Sequence, residues 1–212
     1  MAAEEAAEAA EAPSAEGSAG PREYRVVQGP VFKKVGTDPT SQKVIKLNKK
    51  VGSVLRSTGK TWQGPSGGDW AEQDPQGSEK PGWYLIEGPG FNQPGPLLEK
   101  VDDSEEPHMV VKLYSLITKD VLCEICMKPT ETIRSLKWWV ALRDPHKLKL
   151  NKVVIAREMP SEEQQGNFSI STFPTSNLHS NDSLKVGEAF KDGAEVPYFY
   201  MGEPSDDGSF DR

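Results

Sequence analysis

The spacing of apolar and polar residues divides this chain into two stretches of different texture. Between Tyr24 and Val101 the apolar residues come in short runs. These are Tyr24-Arg-Val-Val27, Lys43-Val-Ile-Lys-Leu47, Val51-Gly-Ser-Val-Leu55, Asp69-Trp-Ala71 and Trp83-Tyr-Leu-Ile86. Each is too short for a helix and reads as a strand. Gly29-Pro30, Asp38-Pro39, Gly64-Pro65, Gly88-Pro89 and Pro94-Gly-Pro96 supply turn chemistry between them. Strands at this spacing predict a small β-barrel over residues 24–101, its interior filled by side chains.

After an acidic linker at 102–107 the pattern changes. Met109-Val-Val-Lys-Leu-Tyr114, a turn at Thr118-Lys-Asp120 and Val121 to Met127 predict a hairpin. In its second arm Cys123, Ile125 and Met127 alternate with Leu122, Glu124 and Cys126. Ile133, Leu136 and Val140 then fall at i, i+3 and i+7, the stripe of a helix over 132–143. Thr132 stands at its N-cap, where a hydroxyl takes an orphan N–H of the first turn, and Pro129 ends the preceding strand. Residues 152–157 and Tyr198-Phe-Tyr-Met201 read as further strands. The polar stretch 161–183 has no period and reads as an insertion loop. Two strands, a helix and more strands predict an α+β unit over 108–203.

Charge separates the margins from the body. Residues 1–23 carry −5, residues 161–212 carry −7, and residues 24–160 carry +5. The Ala- and Glu-rich start cannot bury enough surface to offset its ordering entropy, so 1–23 and 204–212 are expected to be disordered tails. Acidic tails compete with phosphate for the lysines of the body, which argues against strong nonspecific nucleic-acid binding. The sequence has no apolar run long enough for a membrane span and no leader-like start, so a cytoplasmic or nuclear protein is expected.

No constellation of residues points to catalysis. Cys123 and Cys126 have no second pair with which to hold zinc, and in a strand their thiols point to opposite faces. Cys123 is expected in the core and Cys126 on the surface or second face. Gly59-Lys-Thr61 lacks the first glycine of a phosphate loop, which would fall on Val54. His108, His146 and His179 have no spacing for a metal or triad and are expected to be solvated. The sequons at Asn167 and Asn181 should stay bare without a signal peptide. The expectation is a non-enzyme without metal, cofactor or small-molecule substrate.

The corner Pro129-Thr-Glu-Thr-Ile-Arg-Ser-Leu-Lys-Trp-Trp-Val140 resembles the strand-to-helix corner of a ubiquitin-like β-grasp domain. Phe190-Lys-Asp-Gly193 likewise resembles the Asp-Gly turn of such domains, which bind partners through the sheet. The resemblance places Val154 on that surface, with Lys152 and Arg157 as a basic rim and Val153 and Ile155 inward. The alternative is that the insertion loop or the barrel covers Val154. Residues Asp38–Leu55, Asp69–Ala71 and Pro81–Ile86 are similar to bacterial-type Src-homology-3-like domains, departing from them at the glycine-rich 64–78 and the Pro/Gly-rich 88–96.

Within the helix Trp138 lies far around the axis from Val140 and is expected to face outward, unless the loop or barrel covers it. Among Phe32, Trp62, Trp70, Trp83 and Tyr84, some must fill the barrel. Trp83 is expected in the core, while Trp62 and Trp70, with Tyr84, are candidates for a peptide groove. The leading expectation is therefore an intracellular protein-binding adaptor or accessory subunit. The competing one is RNA binding through Lys33, Lys34, Lys43, Lys46, Lys49 and Lys50 with stacking aromatics.

Overall fold

The computed structural model describes residues 20–74, 80–101, 107–144, 148–161, 165 and 168–201, and it is mainly β. The expected tails and linker lie almost wholly outside those residues. Seven strands form the first sheet: β1 (Arg22–Val26), β2 (Val31–Val35), β3 (Val44–Leu47), β4 (Val54–Gln63), β5 (Asp69–Gln73), β6 (Gly82–Glu87) and β7 (Leu98–Lys100). Their order is β3-β2-β6-β5-β4-β1-β7, antiparallel throughout. The ladder does not close into the expected barrel. Its two edges, β3 and β7, do not pair.

Two of these strands escape the apolar pattern. β2 carries Lys33 and Lys34 between Phe32 and Val35, and β7 has only three residues. The run expected at Val51 starts instead at Val54, because Val51 and Gly52 form a turn with Gly52 at φ +83°, and it continues to Gln63 through a bulge between Ser57 and Thr61. One core serves this sheet, with Val26, Phe32, Leu55, Trp62, Trp70, Trp83, Tyr84 and Leu85 among its buried members.

The second sheet has the order β10-β11-β8-β9, with β8 (Met109–Ser115), β9 (Val121–Met127), β10 (Val153–Ile155) and β11 (Glu195–Tyr200). β11 runs parallel to β8 and antiparallel to β10, so the last strand lies inside the sheet and not at its edge. Alternate residues of β8, Met109, Val111 and Leu113, face the helix α1 (Ile133–Arg143). Ile133, Leu136 and Val140 of α1 are buried against them, as the helical stripe predicts, and Trp139 is buried beside them. A one-turn helix α2 (Val186–Ala189) precedes β11.

Thr132 is the N-cap, yet its hydroxyl makes no cap bond. The first-turn N–H groups of Ile133 and Arg134 instead donate to the carbonyls of Leu184 (2.9 Å) and Asp182 (3.0 Å). Those donors must be satisfied by something, and distant backbone supplies what a local hydroxyl was expected to give. The strand expected at 152–157 is shortened by a 3-10 turn at Leu150–Lys152, and the closing strand begins earlier, at Glu195.

The far face of this sheet is not open. Leu116, Val154 and Phe199 are buried beneath Phe168, Phe173 and Leu178 of the 161–183 segment. Phe173 and Phe168 stand edge-on to Phe199 at 5.3 and 5.5 Å between ring centroids.

Candidate binding surfaces

Two concave surfaces are lined by tryptophans that the sequence singles out. The first is a cleft of about 700 Å³ where the two sheets meet. Buried Val27, Leu98 and Cys126 line it together with half-buried Lys128, exposed Arg134 and Trp138. Trp138 is 44% exposed and stands edge-on to buried Trp139, ring centroids 5.0 Å apart. The sheets are joined beside it. The Cys126 N–H donates to Val27 O, Arg143 donates through a guanidinium N–H to Gln93 Oε1, and a Cβ on Gly95 would lie 2.9 Å from Leu142 Cδ2.

The second is a slot of about 300 Å³ in the first sheet. Trp62 of β4 and Trp70 of β5 are directly opposed cross-strand partners. Between them sits the ammonium of Lys34, 4.2 Å from the Trp62 ring centroid and 4.8 Å from that of Trp70. Phe91 closes one side, its ring 4.5 Å from Phe32 and 6.0 Å from Trp70. Lys34 is only 9% exposed, and its Nζ donates to Pro39 O at 2.6 Å. Burial lowers its pKa below the usual lysine value, opposed by the Asp38 carboxylate. Asp38 is itself held by the Thr40 N–H and hydroxyl, which keep its carboxyl below the ordinary range.

The residues singled out from sequence fall into three groups. Trp138, Trp62 and Trp70 line the two concavities, although Trp62 and Trp70 are buried apart from the edges that meet the slot. Tyr84 is buried with Lys33 over its ring at 5.6 Å and does not line the slot. Val154 is 8% exposed and so is not a surface residue; the loop covers it. Lys152 and Arg157 are exposed, but Arg157 Nε donates to Leu178 O and thereby pins the covering segment.

Other expectations are corrected as well. Cys123 packs against the core of the second sheet but is only half-buried, and Cys126 lies on the second face but is not open there, because the first sheet covers it, with a Cβ on Gly52 falling 3.8 Å from its Sγ. Burial raises both thiol pKa values, against the opposing influence of Arg143 on Cys123 and Arg25 on Cys126, which disfavours the reactive thiolate. His179 is buried and not solvated, packed on Phe190. His146 lies outside the described residues. Of the proposed nucleic-acid lysines, Lys33 and Lys34 are buried, whereas Lys43, Lys46 and Lys50 are exposed and Lys49 half-buried.

Sequence reasoning missed Lys34 and Phe91 in the slot and Val27 and Leu98 in the cleft. A lysine between two apolar residues carries no signal of burial, and Phe91 sits in a Pro/Gly-rich stretch that reads as turn. Among the described residues there is no group of three or more His, Cys, Asp or Glu placed to hold a metal ion, and no helix long and apolar enough to cross a membrane. Comparison of the chain with protein-family models, with curated proteins and with solved structures finds no match.

Proposed function

We propose that this protein is a non-enzymatic interaction adaptor that grips macromolecular partners through the Trp138 cleft and the Lys34 slot. The observation that carries the reading is Trp138: a large aromatic side chain left 44% exposed beside a concavity built by both sheets. Burying such a residue against a partner removes much apolar surface from water, which is why tryptophan concentrates in binding hot spots. Two separate surfaces on one chain give avidity when both reach the same assembly.

The finer fold assignments belong to the same proposal. A sheet with its last strand inside, parallel to the first, and one helix across a face supports reading residues 108–203, of which 202 and 203 lie outside the described residues, as a ubiquitin-like β-grasp. Paired aromatic strands in a seven-stranded antiparallel sheet support a Src-homology-3-like relationship for the first unit, with an open ladder.

The adaptor reading is tested by quantitative capture from cell lysate with the immobilised full chain and its Trp138→Ala variant. Loss of specific captured proteins with a retained fold supports it. Undiminished capture by the variant removes the cleft from the proposal.

A further inference from the structure

We infer that the slot in the first sheet recognises a carboxylate side chain on an extended partner peptide, received by the Lys34 ammonium between walls of Trp62, Trp70 and Phe91. This specifies the ligand of one of the two surfaces and rests on the adaptor reading.

The sign of the ligand follows from what already fills the slot. Two opposed tryptophan faces form a cage that by itself attracts a cation. Here the chain supplies that cation, with Lys34 Nζ against both rings. An incoming ammonium would meet an occupied cage and a like charge. An anion would meet the opposite.

The ammonium is also under-satisfied for a charged group. It carries three donors, and among the described residues its hydrogen bond is to Pro39 O. Lys34 is buried to 9% exposure, and the nearby Asp38 carboxylate, held by Thr40 through backbone and hydroxyl, acts on it by charge alone and without a hydrogen bond. A carboxylate reaching Nζ would give it a second hydrogen bond, charge-assisted and so stronger than a neutral one.

The surroundings suit a side chain with a short apolar stem presented by a peptide. A volume of about 300 Å³ takes one or two residues, not a folded element. Half-buried Phe91 offers an apolar face to the flanking residues. Exposed Thr40, Gln42 and Ser66 at the same slot offer polar groups to a peptide backbone.

The test uses the full chain and three fluorescein-labelled, end-capped peptides. Each has a central residue between two leucines: glutamate, glutamine or trimethyl-lysine. Binding is followed by anisotropy. The expected result is about tenfold or more tighter binding of the glutamate peptide than the glutamine peptide. Lys34→Met should erase that difference and Lys34→Arg should preserve most of it.

Equal binding of the glutamate and glutamine peptides, no binding of either at millimolar concentration, or a preference for trimethyl-lysine overturns the inference. The peptide comparison is made on the unaltered chain, so it does not depend on the folding of any variant. If it fails while Trp138-dependent capture persists, only the ligand assignment falls.

Discussion

The Cys126 N–H, on the outer edge of β9, donates to the carbonyl of Val27 across 2.8 Å and ties the second sheet to the chain leaving β1. Val27 is 4% exposed and packs in the core of the second sheet, although it follows a strand of the first. The two sheets therefore share a core residue as well as a hydrogen bond. Val27→Ala should lower stability by about 1–2 kcal/mol, as expected for buried methyl groups removed from a close-packed site. Unfolding followed by tryptophan fluorescence and by far-UV circular dichroism should give coincident transitions. Two resolved transitions in the unaltered chain would contradict a shared core.

Gly95 is the second joint. Its φ of +83° suits glycine, and a Cβ there would press on Leu142 Cδ2 at 2.9 Å with the Trp139 ring 3.4 Å away. Gly95→Ala should cost about 1–3 kcal/mol from backbone strain and the clash together. It should also change the environment of Trp139, visible as a shift in tryptophan emission. An unchanged melting temperature would show that the joint yields freely.

His179 should make the cover over the second sheet acid-sensitive. Its backbone N–H donates to Ile155 O, its ring packs on Phe190 at 5.3 Å, and its Nε2 is buried without a hydrogen-bond partner. Burial first, and Arg157 second, lower its pKa below 6.5. The unfolded chain then binds the proton more readily than the folded one. The contribution to stability is whole above pH 6.5, declines as pH falls below it, and levels off beneath the folded value. Hydrogen exchange of residues 168–178, corrected for intrinsic rates, should show weaker protection at pH 5 than at pH 7.5. His179→Phe should flatten that difference.

Tyr198 predicts the opposite dependence at alkaline pH. Its hydroxyl donates to Asp144 Oδ2 at 3.3 Å, and burial, reinforced by the Asp144 charge, raises its pKa well above the usual tyrosine value of 10. The contribution is whole below pH 10 and lost as pH rises past it, because the unfolded chain releases the proton first. Tyr198→Phe should cost about 1 kcal/mol at pH 7, with the gap to the unaltered chain narrowing above pH 10 in urea titrations. A gap that stays constant from pH 7 to 10.5 would remove the proton linkage.

How far the fold was legible depended on whether a residue's role was set nearby. The stripe Ile133, Leu136 and Val140 is local, and the helix lies where the stripe puts it. The alternation in β8 and the Asp192-Gly193 turn were readable for the same reason. β2 was not, since Lys33 and Lys34 look like solvent-facing residues until partners from distant strands surround them. The candidate site was half legible. Trp62, Trp70 and Trp138 declared themselves by type and spacing. Lys34 and Val27 became members only through contacts made across the sheet and between sheets.

The sequence by itself determined that this chain makes strands and one amphipathic helix, because period and turn chemistry act over a few residues. Tertiary structure alone decided that the first sheet stays open, that 168–178 covers Val154, and that a lysine lies against two tryptophans. Burial of a polar group or cover of an apolar one depends on neighbours brought together from far along the chain. No local pattern records them.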